Sequence, residues 1–151
     1  MPVMEVTQAN RAYFIGRIKA LKPEALARWG RMTPAVMLAH LRRMLEISLG
    51  EVTVTDSSTL FSRTVGRWLT INGGEFPKGK MQAPPEAVPT EVGDFETEVK
   101  RLQEALERFM SARDNAPDLR EPHPHLGMLK MTQWSKFHGK HMDHHFSQFG
   151  V

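Results

Sequence analysis

The sequence predicts an all-α fold: a four-helix bundle with one long irregular connection between its second and third helices. Three observations lead there. Apolar residues recur at three- and four-residue spacing in four stretches of the chain. Proline and glycine gather between those stretches. No segment alternates apolar and polar residues convincingly enough to read as a strand. The 151 residues suit one domain, 1–151, with a core large enough to stand alone.

A first helix is expected from about Ala9 to Leu21, burying Tyr13, Phe14, Ile18 and Leu21, until Pro23 interrupts it. Pro23 to Gly30 reads as a short helical turn, with Gly30 placed for a left-handed stop. The second helix is well marked: Thr33 is its N-cap, Pro34 takes the first helical position, and Gly50 can end it. Met37, His40, Leu41, Met44 and Ile47 or Ser48 form its inward stripe, so His40 faces the interior. From Gly50 to Asp94 the periodicity fails. Leu60, Phe61, Val65, Trp68 and Leu69 suggest one short helix, and Gly73-Gly74, Pro77, Pro84-Pro85 and Pro89 keep the rest irregular. So long a connection suits a functional lid, or a crossover that lets two helices lie parallel. The third helix, about Asp94 to Ala112, carries Phe95, Val99, Leu102, Leu106 and Phe109 on one stripe. A second loop runs from Asn115 through Pro122-His123-Pro124-His125 to Gly127, and Thr132 caps a fourth helix that reaches about Phe149.

Composition narrows the function classes. There is no cysteine, which excludes disulfides, thiolate ligands and a catalytic thiol of the chain's own. Any thiol chemistry would need sulfur carried by a small molecule. No apolar run has the length of a membrane span, and Met1-Pro2-Val3-Met4-Glu5 lacks a basic segment followed by an apolar one. A cytoplasmic protein with no membrane partner is expected. The formal charge is +3, distributed as +5, −3 and +1 over residues 1–50, 51–100 and 101–151. That excess is too diffuse for a nucleic-acid footprint, which gathers basic and aromatic residues on one element.

The histidines carry the chemistry. Trp134, His138, His141, His145 and Gln148 step by four, three, four and three, so they line one face of the fourth helix. His141 and His145 can converge on one ion, and His40 can complete the set from the second helix. Three imidazoles leave a coordination position open, the layout of a catalytic rather than a closed structural site. Spacing alone leaves the alternative that these histidines only pack and hydrogen-bond. Imidazole suits zinc, nickel, iron or copper, so ligand type does not choose the metal. His138, one turn before His141, is the first candidate for a catalytic group, a buried or rim histidine being the other reading. Trp134 is a candidate pocket wall and cofactor contact, or plain core. Gln148 can orient the His145 imidazole, or simply end the helix. His144 lies off the stripe and is read as packing or solvated. His123 and His125 are read as an ordinary solvated loop, a fourth ligand from there being the other reading. Lys78 and Lys80 are read as solvated lysines, with an anionic substrate at the pocket mouth as their alternative, and the ten methionines as packing.

The ending His141-Met142-Asp143-His144-His145-Phe146-Ser147-Gln148 resembles the terminal H-x-x-H-H-x-x-Q signature of the DinB/YfiT-like superfamily. Trp29-Gly30-Arg31-Met32-Thr33-Pro34, leading to Leu38-Ala39-His40-Leu41, resembles its second-helix histidine segment. Trp29-Gly30, Pro77-Lys78-Gly79, Trp134 and Gln148-Phe149-Gly150 are similar to one subgroup of unknown function. The resemblance spans nearly the whole chain and is weakest between Glu51 and Glu91. It implies a four-helix bundle, often dimeric, in which His40, His141 and His145 bind a divalent metal, zinc or nickel foremost. Relatives of this kind include transferases and an isomerase that use low-molecular-weight thiols. The expectation is therefore a metal-dependent enzyme acting on a small-molecule substrate, with a thiol or water activated at the open position, working as a homodimer. The alternative is a stress-linked bundle that binds metal or ligand without turnover.

Overall fold

The computed structural model describes residues 4–80 and 82–151, so residues 1–3 of the opening stretch lie outside it. The described residues form five α-helices and one β-hairpin: α1 (Arg11–Ala20), α2 (Pro34–Ser48), α3 (Arg67–Asn72), α4 (Phe95–Asn115), β1 (Arg120–His123), β2 (Gly127–Lys130) and α5 (Met131–Gln148). The expectation of an all-α four-helix bundle is thereby corrected to a mixed fold.

The hairpin stands where a second loop is expected after Asn115. β1 and β2 pair antiparallel, Arg120 opposite Lys130 and His123 opposite Gly127. Pro117, Pro122 and Pro124 exclude a helix here, and pairing two extended segments satisfies backbone groups that would otherwise be stranded. Four-residue strands with a proline in one of them show no period-two alternation, so their sequence carries no strand signal. Among the connections, Pro23–Gly30 forms a single turn at Pro23-Glu24 and a bend over residues 28–30 rather than a helical turn, although Gly30 does take a left-handed φ of 74°.

The long helices follow their local signals. On α2, the Thr33 hydroxyl accepts the Val36 N–H at 3.3 Å and Pro34 opens the first turn. On α4, the Asp94 carboxylate accepts the Thr97 N–H at 2.8 Å. The first turn of α5 is closed by the Gln133 side chain accepting the Lys130 N–H at 2.9 Å, so its cap falls at Lys130 rather than at Thr132. Phe14, Met37, Leu38, Leu102, Leu106, Phe109 and Phe146 are fully buried and form the core where α1, α2, α4 and α5 meet. Tyr13 departs from the expected inward set and is 39% exposed.

α2 packs most extensively on α4, and a buried charge cluster ties them. Glu98 of α4 is buried and meets Arg42 of α2 at 3.2 Å and Arg101 at 2.9 Å, and it accepts the Gly93 N–H at 3.0 Å. The short helix expected around Leu60–Leu69 exists, as a π-helical turn Ser62–Gly66 running into α3. Its apolar residues turn outward, however: Leu60, Phe61, Val65, Trp68 and Leu69 are 48–74% exposed. The Lys140 ammonium of α5 holds α3 by donating to the Thr70 and Gly73 carbonyls at 2.5 and 3.2 Å. Beyond α3 the connection folds back onto α2, where Arg43 Nε donates to the Glu86 carbonyl at 3.0 Å and anchors the 3₁₀ turn Pro85–Ala87. No helix among the described residues is long and apolar enough to cross a membrane.

Candidate metal centre

α2 and α5 pack side by side, and their facing stripes bring His40 against His141 and His145. One ring nitrogen from each histidine lies within 4.8 Å of the other two. The His40 and His141 Nε2 atoms are 2.9 Å apart. Tetrahedral nitrogen ligands on a zinc ion sit about 3.3 Å from one another, given bonds of about 2.0–2.1 Å. The observed spacings bracket that value, so the cluster could hold a metal ion.

Two of the three imidazoles are oriented by partners behind them. His40 Nδ1 lies 2.9 Å from the Ala87 carbonyl, which only accepts, so Nδ1 carries the proton and Nε2 presents its lone pair to the cluster. His145 Nδ1 donates to the Gln148 side-chain oxygen at 2.8 Å, and the Gln148 amide nitrogen donates to the Trp29 carbonyl at 2.7 Å. The amide therefore points one way only, and His145 Nε2 is left bare toward the cluster. Gly30 makes room for this relay: a Cβ there would stand 3.0 Å from Gln148 Nε2. His141 differs, since its buried Nδ1 has no partner among the described residues.

Electrostatics keep the set neutral. Burial lowers the His40 pKa and lowers that of His141 well below the ordinary value, with His145 adding to the effect at His141. Burial and the neighbouring His40 bring His145 down to about 3. Neutral imidazoles are the form a metal ligand needs.

A cavity of about 340 Å³ opens beside the three histidines. Its wall is mostly apolar, built from Met32, Met44, Phe76, Leu126 and Phe137, and among the described residues no carboxylate lines it. Phe76 comes from the long connection and Leu126 from the hairpin turn, so loops complete a site that two helices begin.

The remaining residues singled out in the sequence separate clearly. Gln148 lies behind His145, as described. His138 and Trp134 lie on the same helix face but in the core, away from the cavity wall. His138 Nε2 donates to the Ser48 hydroxyl at 2.9 Å, and that hydroxyl donates to the Leu45 carbonyl at 2.7 Å. Trp134 stacks on His138, and its indole N–H donates to the Glu121 carbonyl at 3.0 Å. His144 is half-buried at the cavity rim between Trp29 and Phe76. His123, read as a solvated loop histidine, is instead 5% exposed and forms part of the cavity wall. Lys78 sits over the Trp29 ring at 4.9 Å, outside the cavity. Sequence reasoning missed the inward His123 because its burial depends on the hairpin, which left no pattern to read.

No curated protein and no solved structure matches the chain. The model of the family described as "Protein of unknown function (DUF1569)" matches residues 4–150, and the chain belongs to that family.

Proposed function

We propose that this protein is a metal-dependent enzyme acting on a small molecule, with His40, His141 and His145 as the ligands of a divalent ion, zinc or nickel foremost. The observation that carries the reading is the apolar cavity beside three neutral, mutually facing imidazoles, two of them aimed by hydrogen bonds from behind. The likeness of His141 to Gln148 and of the His40 segment to the DinB/YfiT-like signatures supports the same ligand set. Within this reading, a low-molecular-weight-thiol-dependent transferase is the reaction class.

A divalent ion bound there would supply Lewis acidity, lowering the pKa of a thiol or water beside it. The chain's own residues do the rest. His40 and His145 are held in the tautomer that presents Nε2, which avoids reorganisation on loading. The apolar wall keeps water from the reacting end of a bound molecule. Among the described residues that wall has no carboxylate to offset a divalent charge, which supports an anionic occupant such as a thiolate. His138 touches neither the cavity nor the cluster, so no proton route is assigned to it. The same reading has the chain pair as a homodimer.

Elemental mass spectrometry tests the reading on protein purified without a nickel column, wild type beside His40→Ala and His145→Ala. Near-stoichiometric metal in the wild type, lost in both variants, is the expected result. Absence of metal together with no uptake of added zinc or nickel would sink it. Turnover of an electrophile in the presence of a small thiol, dependent on His40, separates an enzyme from a protein that only stores metal or ligand.

A further inference from the structure

His123 stands at the end of β1, where the hairpin turns. Its Nδ1 accepts two backbone N–H groups, those of His125 at 3.1 Å and Leu126 at 3.2 Å. An atom that accepts two donors carries no proton, so the imidazole proton must sit on Nε2. The turn thus selects the tautomer. The ring plane is held as well, by Trp134 at 5.2 Å and by Phe137 edge-on at 4.9 Å.

What remains is a single N–H. His123 Nε2 has no hydrogen-bond partner among the described residues, and the ring, only 5% exposed, forms part of the cavity wall. The atom is not fully enclosed, because the fully buried unpaired side-chain atoms are Arg113 Nε and His141 Nδ1 among the described residues, so its N–H keeps access to the cavity space. Its acceptor is supplied from that space, by water or by a polar atom of a bound molecule. Burial, with His125 adding to it, brings the His123 pKa down to about 3, so the group is an uncharged donor at neutral pH. It suits an uncharged oxygen better than a cation would. The wall it shares includes the apolar Leu126, Phe137 and Phe76, with Ser62, Thr70, Gln82 and His125 as further polar groups.

We infer that His123 is the specificity-determining residue of the cavity, its Nε2–H donating to a carbonyl-type oxygen on an otherwise apolar small molecule. This rests on the metal reading only for the placement of that molecule's other end at the three histidines.

The test uses benzylacetone, an apolar body with one ketone, against butylbenzene, its counterpart without oxygen. Affinities are measured by NMR titration on protein stripped of metal and again on protein loaded with zinc. The variant is His123→Asn, whose side-chain oxygen falls where Nδ1 stood. It can keep both turn hydrogen bonds while losing the donor that faces the cavity. The ratio of ketone to hydrocarbon affinity should fall about three- to tenfold in the variant, the value of one neutral hydrogen bond, with hydrocarbon binding unchanged. In the wild type, the His123 Nε2 proton should be present and should shift on adding ketone but not hydrocarbon. An unchanged ratio, no ketone binding, or a proton found on Nδ1 overturns the inference. A ketone preference that depends on His123 in protein unable to bind zinc would uphold it and sink the metal reading. Zinc binding without that dependence would do the reverse.

Discussion

Gln148 joins two constraints through one amide, donating to the Trp29 carbonyl and accepting from His145. Its effect on the cluster is therefore one of orientation. Gln148→Leu should lower zinc affinity about 10–100-fold, the usual cost of losing the partner behind a metal-binding histidine. A competition titration against a chromophoric chelator measures this, and an unchanged affinity would remove Gln148 from that role. Gly30→Ala should act in the same direction more weakly, because a Cβ would press on Gln148 from a left-handed backbone position. His138→Ala is the contrasting case. It empties space in the core beside Trp134 and should cost about 2–4 kcal/mol in urea unfolding while leaving zinc stoichiometry intact. Loss of zinc from a folded His138→Ala protein would show that His138 acts on the cluster after all. The spacing of these residues was legible, since they share one helix face. Which of them meets the cavity was not, because the face runs from core to cavity along its length.

At the scale of elements, Glu98 is the main polar tie between α4 and α2. Its desolvation favours the neutral acid, but the Gly93 N–H and the Arg42 and Arg101 guanidiniums outweigh that and hold its pKa below the ordinary 4.5. A carboxylate with a depressed folded pKa adds stability above its unfolded pKa, and that stability is lost as pH falls through the lower folded value. Glu98→Gln should therefore cost about 2–4 kcal/mol near neutral pH, since it leaves Arg42 without one of its two partners. The difference from wild type should shrink as pH falls below the ordinary carboxyl value of 4.5, where the unfolded chain takes up the proton first. It should vanish as the native carboxyl protonates at its lower value. Denaturant unfolding across pH reads this directly, and a penalty constant down to pH 3 would contradict it. The cap at Thr33 and the stripes of α2, α4 and α5 were readable because they act within one turn, whereas the Asp94 cap of α4 went unread. The hairpin was not readable either. Its strands are short and proline-bearing, and their pairing depends on closing the chain against α5.

For the whole molecule, the apolar face of Leu60, Phe61, Val65, Trp68 and Leu69 bears on assembly. Large side chains exposed together on one helical segment are costly to leave in water, unlike lone surface leucines. The homodimer proposed above would cover them. Sedimentation velocity should then give a dimer for the wild type and a monomer for Trp68→Glu combined with Leu69→Glu, with zinc binding retained in both. A wild-type monomer at all concentrations would end that proposal.

The sequence by itself determined the long helices, the Thr33 cap and the inward faces of His40, His141 and His145. Each of those rests on contacts three or four residues apart, which periodicity records. Tertiary structure alone decided what aims the histidines and what faces them. His40 is aimed by a backbone carbonyl 47 residues away, and Gln148 is anchored to one 119 residues away. His123 enters the wall only because two short strands pair. A backbone carbonyl has no side-chain signature and a distant partner has no periodicity, so neither could be read before the chain was folded.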